Sequence, residues 1–99
     1  MQVDAGVLNN AYDGNQLAAE SKYAEKRVAV RGIVEKVGRD IVNTPFVYLK
    51  GGVEGMFPQS YVDSLSTLRS GSIVIITGTC KGRTLGIIIL KDCDITLEQ

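Results

Sequence analysis

Apolar residues recur at two different spacings along the chain, and each spacing predicts a different kind of element. Over residues 4–23 they fall three or four positions apart, which predicts an N-terminal helix with Asp4 as its N-cap. Gly14 weakens the middle of this helix by ~1 kcal/mol relative to alanine, and Asn15 interrupts its apolar face. We therefore expect contacts with the rest of the protein to hold the helix. The apolar face consists of Leu8, Ala11, Tyr12, Ala18, Ala19 and Tyr23.

From residue 26 onward the spacing changes to two, which is typical of β-strands. The segments "VAVRGIV" at 28–34, "FVYLK" at 46–50 and "VEGMF" at 53–57 predict three strands. A second helix is predicted over 59–69, followed by strands over 72–80 and about 85–97. The sequence "KGR" at 81–83 predicts the turn between the last two strands.

Two of the strands carry a glycine at the same point of their pattern, Gly32 in "VAVRGIV" and Gly78 in "VIITGTC". Glycine weakens a strand unless the geometry needs it. A small closed barrel needs sharply coiled strands, so we expect both glycines where strands bend and neighbours approach closely. In the last strand, a slip at Lys91–Asp92 predicts a β-bulge. The residues that continue the apolar face after it are Cys93, Ile95 and Leu97.

The order of these elements is helix, three strands, helix and two strands. This order matches the five-stranded Greek-key barrel called the OB-fold. The predicted fold class is therefore α+β, mainly β. A single OB-fold domain is predicted over residues 1–99, with the N-terminal helix over 4–23 and the barrel over 26–97.

The charge of the chain limits the kinds of ligand it can attract. Eleven basic residues balance eleven acidic ones, so binding of nucleic acid would need a local basic patch. The longest apolar run, "LGIIIL" at 85–90, is one strand long and too short to span a membrane. No signal peptide is visible. Localisation stays open between the cytoplasm and, if a signal peptide has been removed, the periplasm or envelope.

The two cysteines, Cys80 and Cys93, are predicted to act as small apolar residues. In a simple hairpin they would lie ~20 Å apart, well beyond the ~7 Å Cα limit for a disulfide. A longer or bulged loop could shorten that distance, so a Cys80–Cys93 disulfide remains an alternative. With no histidine in the chain, two thiols make a poor zinc site, and no metal or cofactor is expected.

The sequence gives little support for catalysis. The absence of histidine removes the usual general base and the usual partner of a cysteine nucleophile. Asp92 and Asp94 form a carboxylate pair, but paired acids on a solvated strand edge are far commoner than catalytic ones. The glycine cluster "GGVEG" lacks the Lys-Ser/Thr of a phosphate-binding loop. The chain is therefore predicted not to be an enzyme.

Several segments resemble a known family. They are "AYDGNQLAAESKY", "VAVRGIVEKV", "PFVYLKGG", "MFP", "LRSGSIVIITGTCKG" and "IILKDCDI", which together span roughly residues 8–95. The chain resembles the bacterial OB-fold family that is similar to the tRNA-anticodon-binding domain, whose members include nucleic-acid-binding proteins and lipoproteins. The resemblance implies the OB-fold and offers no catalytic residues to carry over.

The predicted binding surface lies outside the barrel, where OB-folds hold their ligands between two framing loops. Alternation places Phe46, Tyr48 and Lys50 on the outer face of the second barrel strand, with Met56 beside them on the third. Aromatic rings next to cations suit single-stranded nucleic acid, because bases stack on the rings and cations meet phosphates. The predicted flanking cations are Arg31 on the first strand, Arg39 in the first framing loop, and Lys81 and Arg83 in the last.

Two alternatives remain for this face. Phe46 and Tyr48 could pack beneath the N-terminal helix, whose Tyr12 and Tyr23 need a partner surface. The face could instead contact a protein or a glycan, as in an interaction domain of an envelope-associated or phage-like protein. The ligand and the oligomeric state stay open at this point.

Overall fold

The helices and strands follow from a computed structural model that describes residues 1–98. Six strands form one sheet, together with two adjacent N-terminal helices and a short helical segment in the middle of the chain. The elements are β1 (Gln2–Asp4), α1 (Ala5–Gly14), α2 (Gln16–Tyr23), β2 (Arg27–Arg39), β3 (Pro45–Leu49), β4 (Val53–Met56), a 3-10 turn (Gln59–Tyr61), α3 (Val62–Leu65), β5 (Ile73–Thr84) and β6 (Ile87–Leu97).

The sheet closes in a ring because the long strand β2 has partners on both sides. Its first half pairs with β5 and its second half with β3, while β6 joins β4 to β5. The alternating apolar residues of each strand fill the inside of this ring, as the two-residue period predicted. Fully buried members of this core are Val28, Val30, Val34, Val47, Leu49, Val53, Val74, Ile76, Ile88 and Leu90.

The predicted count of five strands is wrong, because residues 1–98 form six. The additional strand is β1, whose residues pair in parallel with β2, Val3 lying opposite Val30. A strand of three residues is too short to display a two-residue period, so the pattern gave no sign of it.

The two strand glycines lie where other groups come very close. A Cβ atom on Gly78 would lie 2.6 Å from the sulfur of Cys93 and 2.9 Å from the carbonyl oxygen of Lys91. A Cβ on Gly32 would lie 2.9 Å from Cδ1 of Leu49. Both glycines therefore make room for close approach inside the ring, as predicted.

Replacing Gly78 with alanine should destabilise the protein, since the Lys91 carbonyl belongs to a paired strand and cannot move aside freely. Overpacking of this kind costs about 1–3 kcal/mol of unfolding free energy. The measurement is urea denaturation monitored by circular dichroism. Gly6→Ala is the matched control, because a Cβ there meets nothing within 4 Å and alanine favours a helix. Equal stability of the two variants would refute the role given to Gly78.

The single helix predicted over 4–23 is also wrong, because the segment forms two helices. Asn15 adopts an extended conformation, with φ −161° and ψ 97°, between α1 and α2. Its side-chain oxygen accepts a hydrogen bond from the Ala18 amide and so caps α2. Asparagine is a preferred N-cap, and the glycine before it favours the end of a helix. Asp4 occupies the N-cap position of α1, but its side chain makes no capping bond.

Two other boundaries differ from the sequence expectation, and the predicted β-bulge does not. The helix predicted over 59–69 is only a 3-10 turn followed by α3. The segment "KGR" continues β5, and the turn falls instead at Leu85–Gly86, both of which have positive φ. The β-bulge is confirmed, since Thr77 faces Asp94 while Thr79 faces Lys91.

After that bulge the inward alternation fades toward the end of β6. Cys93 is buried and Ile95 is partly buried, as predicted. Leu97, predicted to continue the apolar face, is instead 55% exposed because it lies in the last position of the strand.

The two cysteines are buried free thiols, so the alternative of a disulfide is wrong. Cys80 lies beneath Tyr12, with the hydroxyl oxygen 3.7 Å from the sulfur. Cys93 lies against Gly78, and burial raises its pKa to about 12. A thiol this hard to ionise is a poor nucleophile.

The N-terminal helices lie at one end of the ring. Leu8 and Tyr12 of α1 and Tyr23 of α2 belong to the buried core. The side-chain amide of Asn9 donates to the carbonyls of Gly52 and Gly86, which ties α1 to the turns that follow β3 and β5. Over residues 1–98, no helix is long and apolar enough to span a membrane.

Candidate nucleic-acid interface

The outer face of β3 and β4 brings together the apolar residues that the sequence assigned to it. Phe46 and Tyr48 project outward and are half-buried, while the residues between and after them are buried. Antiparallel pairing sets Phe46 opposite Met56 and Tyr48 opposite Glu54. Two rings and a methionine therefore lie side by side on one surface, with a carboxylate among them.

This face is bordered by β2 on one side and β6 on the other. Lys36 lies opposite Tyr48, and Gly38 lies opposite Phe46, whose ring passes across the glycine with Cζ 3.4 Å from where a Cβ would be. On the other side, Ile89 of β6 lies beside Glu54. We call this surface the outer wall: Lys36, Gly38, Phe46, Tyr48, Lys50, Glu54, Met56, Ile87, Ile89 and Lys91.

Lys36 was missed because strict alternation from Val34 would turn it inward. A register shift between Val34 and Lys36 adds a residue to β2 and moves Lys36 to the outside. A bulge of this kind leaves no mark in the hydrophobic pattern of this segment, so the sequence offered no signal for it.

Two hollows cross the outer wall and meet at Met56 and Lys91. One, of about 350 Å³, reaches the loop after β2 and is lined there by Asp40 and Val42. The other, of about 450 Å³, extends past Glu54 to Leu85 in the turn between β5 and β6. The two loops that should frame an OB-fold ligand therefore each border one of these two adjoining hollows, which together we call the groove.

Most of the predicted flanking cations are already held by partners in the chain. Arg31 donates from Nε to both carboxylate oxygens of Glu98, at 2.9 and 3.0 Å, and the contact raises the pKa of the arginine. Lys81 lies 2.8 Å from the carboxylate of Glu25. Each of these cations would have to leave its carboxylate before it could meet a phosphate.

Arg83 and Arg39 are placed differently from the prediction. Arg83 lies within β5 rather than in a framing loop, pairs with Asp13 and sits 5.9 Å above the ring of Tyr12. Lys81 likewise belongs to β5, although it lines the larger groove hollow. Arg39 ends β2, opposite Pro45, on the phase that faces away from Phe46, and donates to Gln59. The predicted loop positions of these cations are therefore wrong.

Three lysines on the outer wall keep their ammonium groups available. Lys36, Lys50 and Lys91 have no side-chain hydrogen bond or ion pair with any residue in the described part of the chain. Lys36 lies opposite Tyr48, Lys50 lines a separate hollow beside Asp4 and Arg31, and Lys91 lines both hollows of the groove. We call these three residues the lysine rim; the whole chain is neutral.

The centre of the wall is acidic. Glu54 is half-buried, and desolvation, followed by the nearby charge of Asp40, raises its pKa. A phosphate at this point would meet two carboxylates. Any polyanion on the wall must therefore place its phosphates along the lysine rim.

The main contacts of the N-terminal helices are with strands other than β3 and β4, which carry Phe46, Tyr48 and Met56. Helix α1 contacts β1, β2 and β6, and α2 contacts β5. Tyr12 and Tyr23 are buried in the core of the ring, so they do not cover Phe46 and Tyr48. The alternative in which these two rings pack beneath the N-terminal helix is therefore wrong.

The profile of the tRNA_anti-like family matches residues 1–94. The chain belongs to the tRNA_anti-like family. This agrees with the resemblance found in the sequence. No curated protein matches the chain significantly.

Solved structures share the fold at low sequence identity. A proposed nucleic acid-binding lipoprotein from Klebsiella pneumoniae superposes with a TM-score of 0.76 at 18% identity, over 97% of this chain and 91% of that one. Aspartyl-tRNA synthetase from Entamoeba histolytica gives 0.61 at 21% identity, over 77% of this chain but only 19% of the enzyme. An OBody bound to hen egg-white lysozyme gives 0.61 at 18%, over 79% and 83%. At these identities the likeness shows the OB-fold alone.

Proposed function

We propose that this tRNA_anti-like domain is a non-enzymatic module that holds a short stretch of single-stranded nucleic acid on its outer wall. The observation that carries the proposal is the pair of half-buried rings, Phe46 and Tyr48, on a face that neither N-terminal helix covers. Rings two residues apart on a strand project from the same side, so successive bases can stack on them. The contribution of each stacked base is about 1–3 kcal/mol.

The phosphates would follow the lysine rim. Lys36, Lys50 and Lys91 can meet a phosphate without leaving a carboxylate, unlike Arg31, Lys81 and Arg83. Three phosphate contacts make a weak and short site, which fits a chain with no net charge. Membership of the tRNA_anti-like family supports the same class of ligand.

Binding fits the side chains better than catalysis does. Both thiols are buried, and the chain has no histidine. Asp94 is engaged by the hydroxyl of Tyr61 and by Arg27, so it does not form a free carboxylate pair with Asp92. These contacts support a structural role for the Asp94 carboxylate.

The salt dependence of binding tests the proposal. If three lysines release counterions, log K should fall with log salt at a slope of about −2 for a single strand. The measurement is fluorescence anisotropy with labelled DNA and RNA oligonucleotides, from about 20 to about 200 mM salt. Lys50→Ala should lower the slope by roughly 0.7, whereas Lys22→Ala, on α2, should leave it unchanged. Absence of binding to both polymers at the lowest salt would end the proposal.

A protein ligand is the second candidate. Ile41 and Leu85, in the two loops that frame the groove, are almost fully exposed. Exposed apolar side chains at the rim of a groove suit a protein surface, and the OBody that superposes on this chain binds lysozyme. This candidate is favoured if the oligonucleotides fail to bind at low salt.

A further inference from the structure

Glu54 stands at the centre of the outer wall with no partner of its own. It lies directly opposite Tyr48 on β3 and beside Ile89 on β6. Side chains opposite one another in an antiparallel pair have Cβ atoms ~4.5–5.5 Å apart. Within residues 1–98 its carboxylate makes no side-chain hydrogen bond and no ion pair, although the residue is half-buried.

A half-buried carboxylate without a partner has lost part of its hydration and received no hydrogen bond in return. A ligand that brings N–H donors to it restores those bonds, and charge-assisted hydrogen bonds are among the strong ones. Lys91 lines the same hollow but forms no ion pair with Glu54. The acceptor therefore stays open toward the groove.

We infer that Glu54 selects the base that stacks on Tyr48, by accepting hydrogen bonds from the base edge. This rests on the proposed binding of single strands to the outer wall. A base stacked on Tyr48 can direct one edge across the strand pair, toward Glu54, which faces Tyr48. In this arrangement the phosphates of the ligand contact the lysine rim, and the edge of one base contacts Glu54 at the centre of the wall.

The four bases differ in the number of hydrogen bonds that they can donate to a carboxylate. Guanine presents an imino and an amino N–H side by side, which fits both carboxylate oxygens. Cytosine and adenine each offer an amino group beside an acceptor nitrogen, so only one oxygen gains a bond. Thymine and uracil offer one imino N–H between two carbonyl oxygens, which the carboxylate repels. The expected order is guanine first, cytosine and adenine next, and thymine or uracil last.

The experiment uses the full chain and labelled thymidine oligonucleotides of about six residues, each with one central G, C, A or T. A single guanine in a thymidine host avoids association of guanine-rich strands. Wild-type protein should bind the guanine-containing strand roughly tenfold or more tightly than the all-thymidine strand. Measurement is by anisotropy at low salt, with melting temperatures recorded for every variant.

The Glu54→Gln variant keeps the shape of the side chain but removes the second acceptor and the charge. We expect its guanine preference to fall to about twofold or less, while its affinity for the all-thymidine strand is retained or improved. A merely structural role for Glu54 would weaken all strands together. Glu20→Gln, which removes the same charge from α2, should keep the wild-type order.

Three outcomes overturn the inference, and the last of them is distinguishable from the first two. If all strands bind wild-type protein equally, or if Glu54→Gln keeps the guanine preference, base selection by Glu54 is wrong while the proposed function stands. If no strand binds even at low salt, the proposed function fails and takes the inference with it.

Discussion

Replacing Phe46 and Tyr48 together with alanine should abolish measurable binding of single strands. Two stacked bases contribute about 2–6 kcal/mol, so the loss is at least roughly 30-fold. The aromatic side chains of both residues lie outside the closed sheet and are half-buried. The core inside the sheet therefore keeps its packing when they are removed. The variant should fold, which circular dichroism can verify, while anisotropy titration gives the lost affinity.

Tyr61→Ala supplies the matched aromatic control for this double variant. Tyr61 is also half-buried, but it follows β4 in the 3-10 turn, contacts Phe57 and bonds to Asp94. Its removal should leave affinity for a single strand within about twofold of wild type. If Tyr61→Ala weakened binding as much as the double variant, or if the double variant bound normally, the outer wall would not be the binding surface.

The face of the sheet on which each residue of β3 lies could be predicted, because the side chains of a strand alternate whatever its tertiary partners are. Val47 and Leu49 are buried, and Phe46 and Tyr48 point outward, as the period required. This part of the candidate site depends only on local geometry.

The cations could not be predicted in the same way, because their partners are distant in sequence. Glu98 lies 67 residues from Arg31, and Asp13 lies 70 residues from Arg83. No local pattern reveals such pairs, so these arginines counted as available when they were not. The turn predicted at "KGR" is wrong because strand pairing overrides the local signal. Gly82 indicated a turn, but the chain passes through it with β5 still paired and reverses at Leu85–Gly86.

The position of the N-terminal helices connects the fold with the candidate site. Because α1 closes the end of the ring through Leu8 and Tyr12, its apolar face is satisfied there and not on the outer wall. The outer wall is therefore left uncovered by the same packing that completes the core. Separate substitutions can test the outer wall and the core: replacing Phe46 and Tyr48 should change binding, whereas replacing Tyr12 should change stability.

Tyr12→Ala should remove a large part of the stability of the protein. The side chain is 1% exposed, lies over Cys80, and carries the guanidinium of Arg83 above its ring. Truncation of a buried aromatic residue to alanine costs about 3–5 kcal/mol. The whole stability of a domain this size is about 5–15 kcal/mol, so the melting temperature should fall by more than about 10 °C. Thermal and urea denaturation measure the loss.

Tyr12→Phe separates packing of the ring from the contact of its hydroxyl. It keeps the ring and loses only the 3.7 Å contact with the sulfur, so it should cost at most about 1 kcal/mol. Because Tyr12 lies in the core and not on the outer wall, this variant should bind single strands like wild type. A Tyr12→Ala protein that melted within a few degrees of wild type would mean that α1 is not part of the core. The packing of α1 would then no longer explain why the outer wall is uncovered.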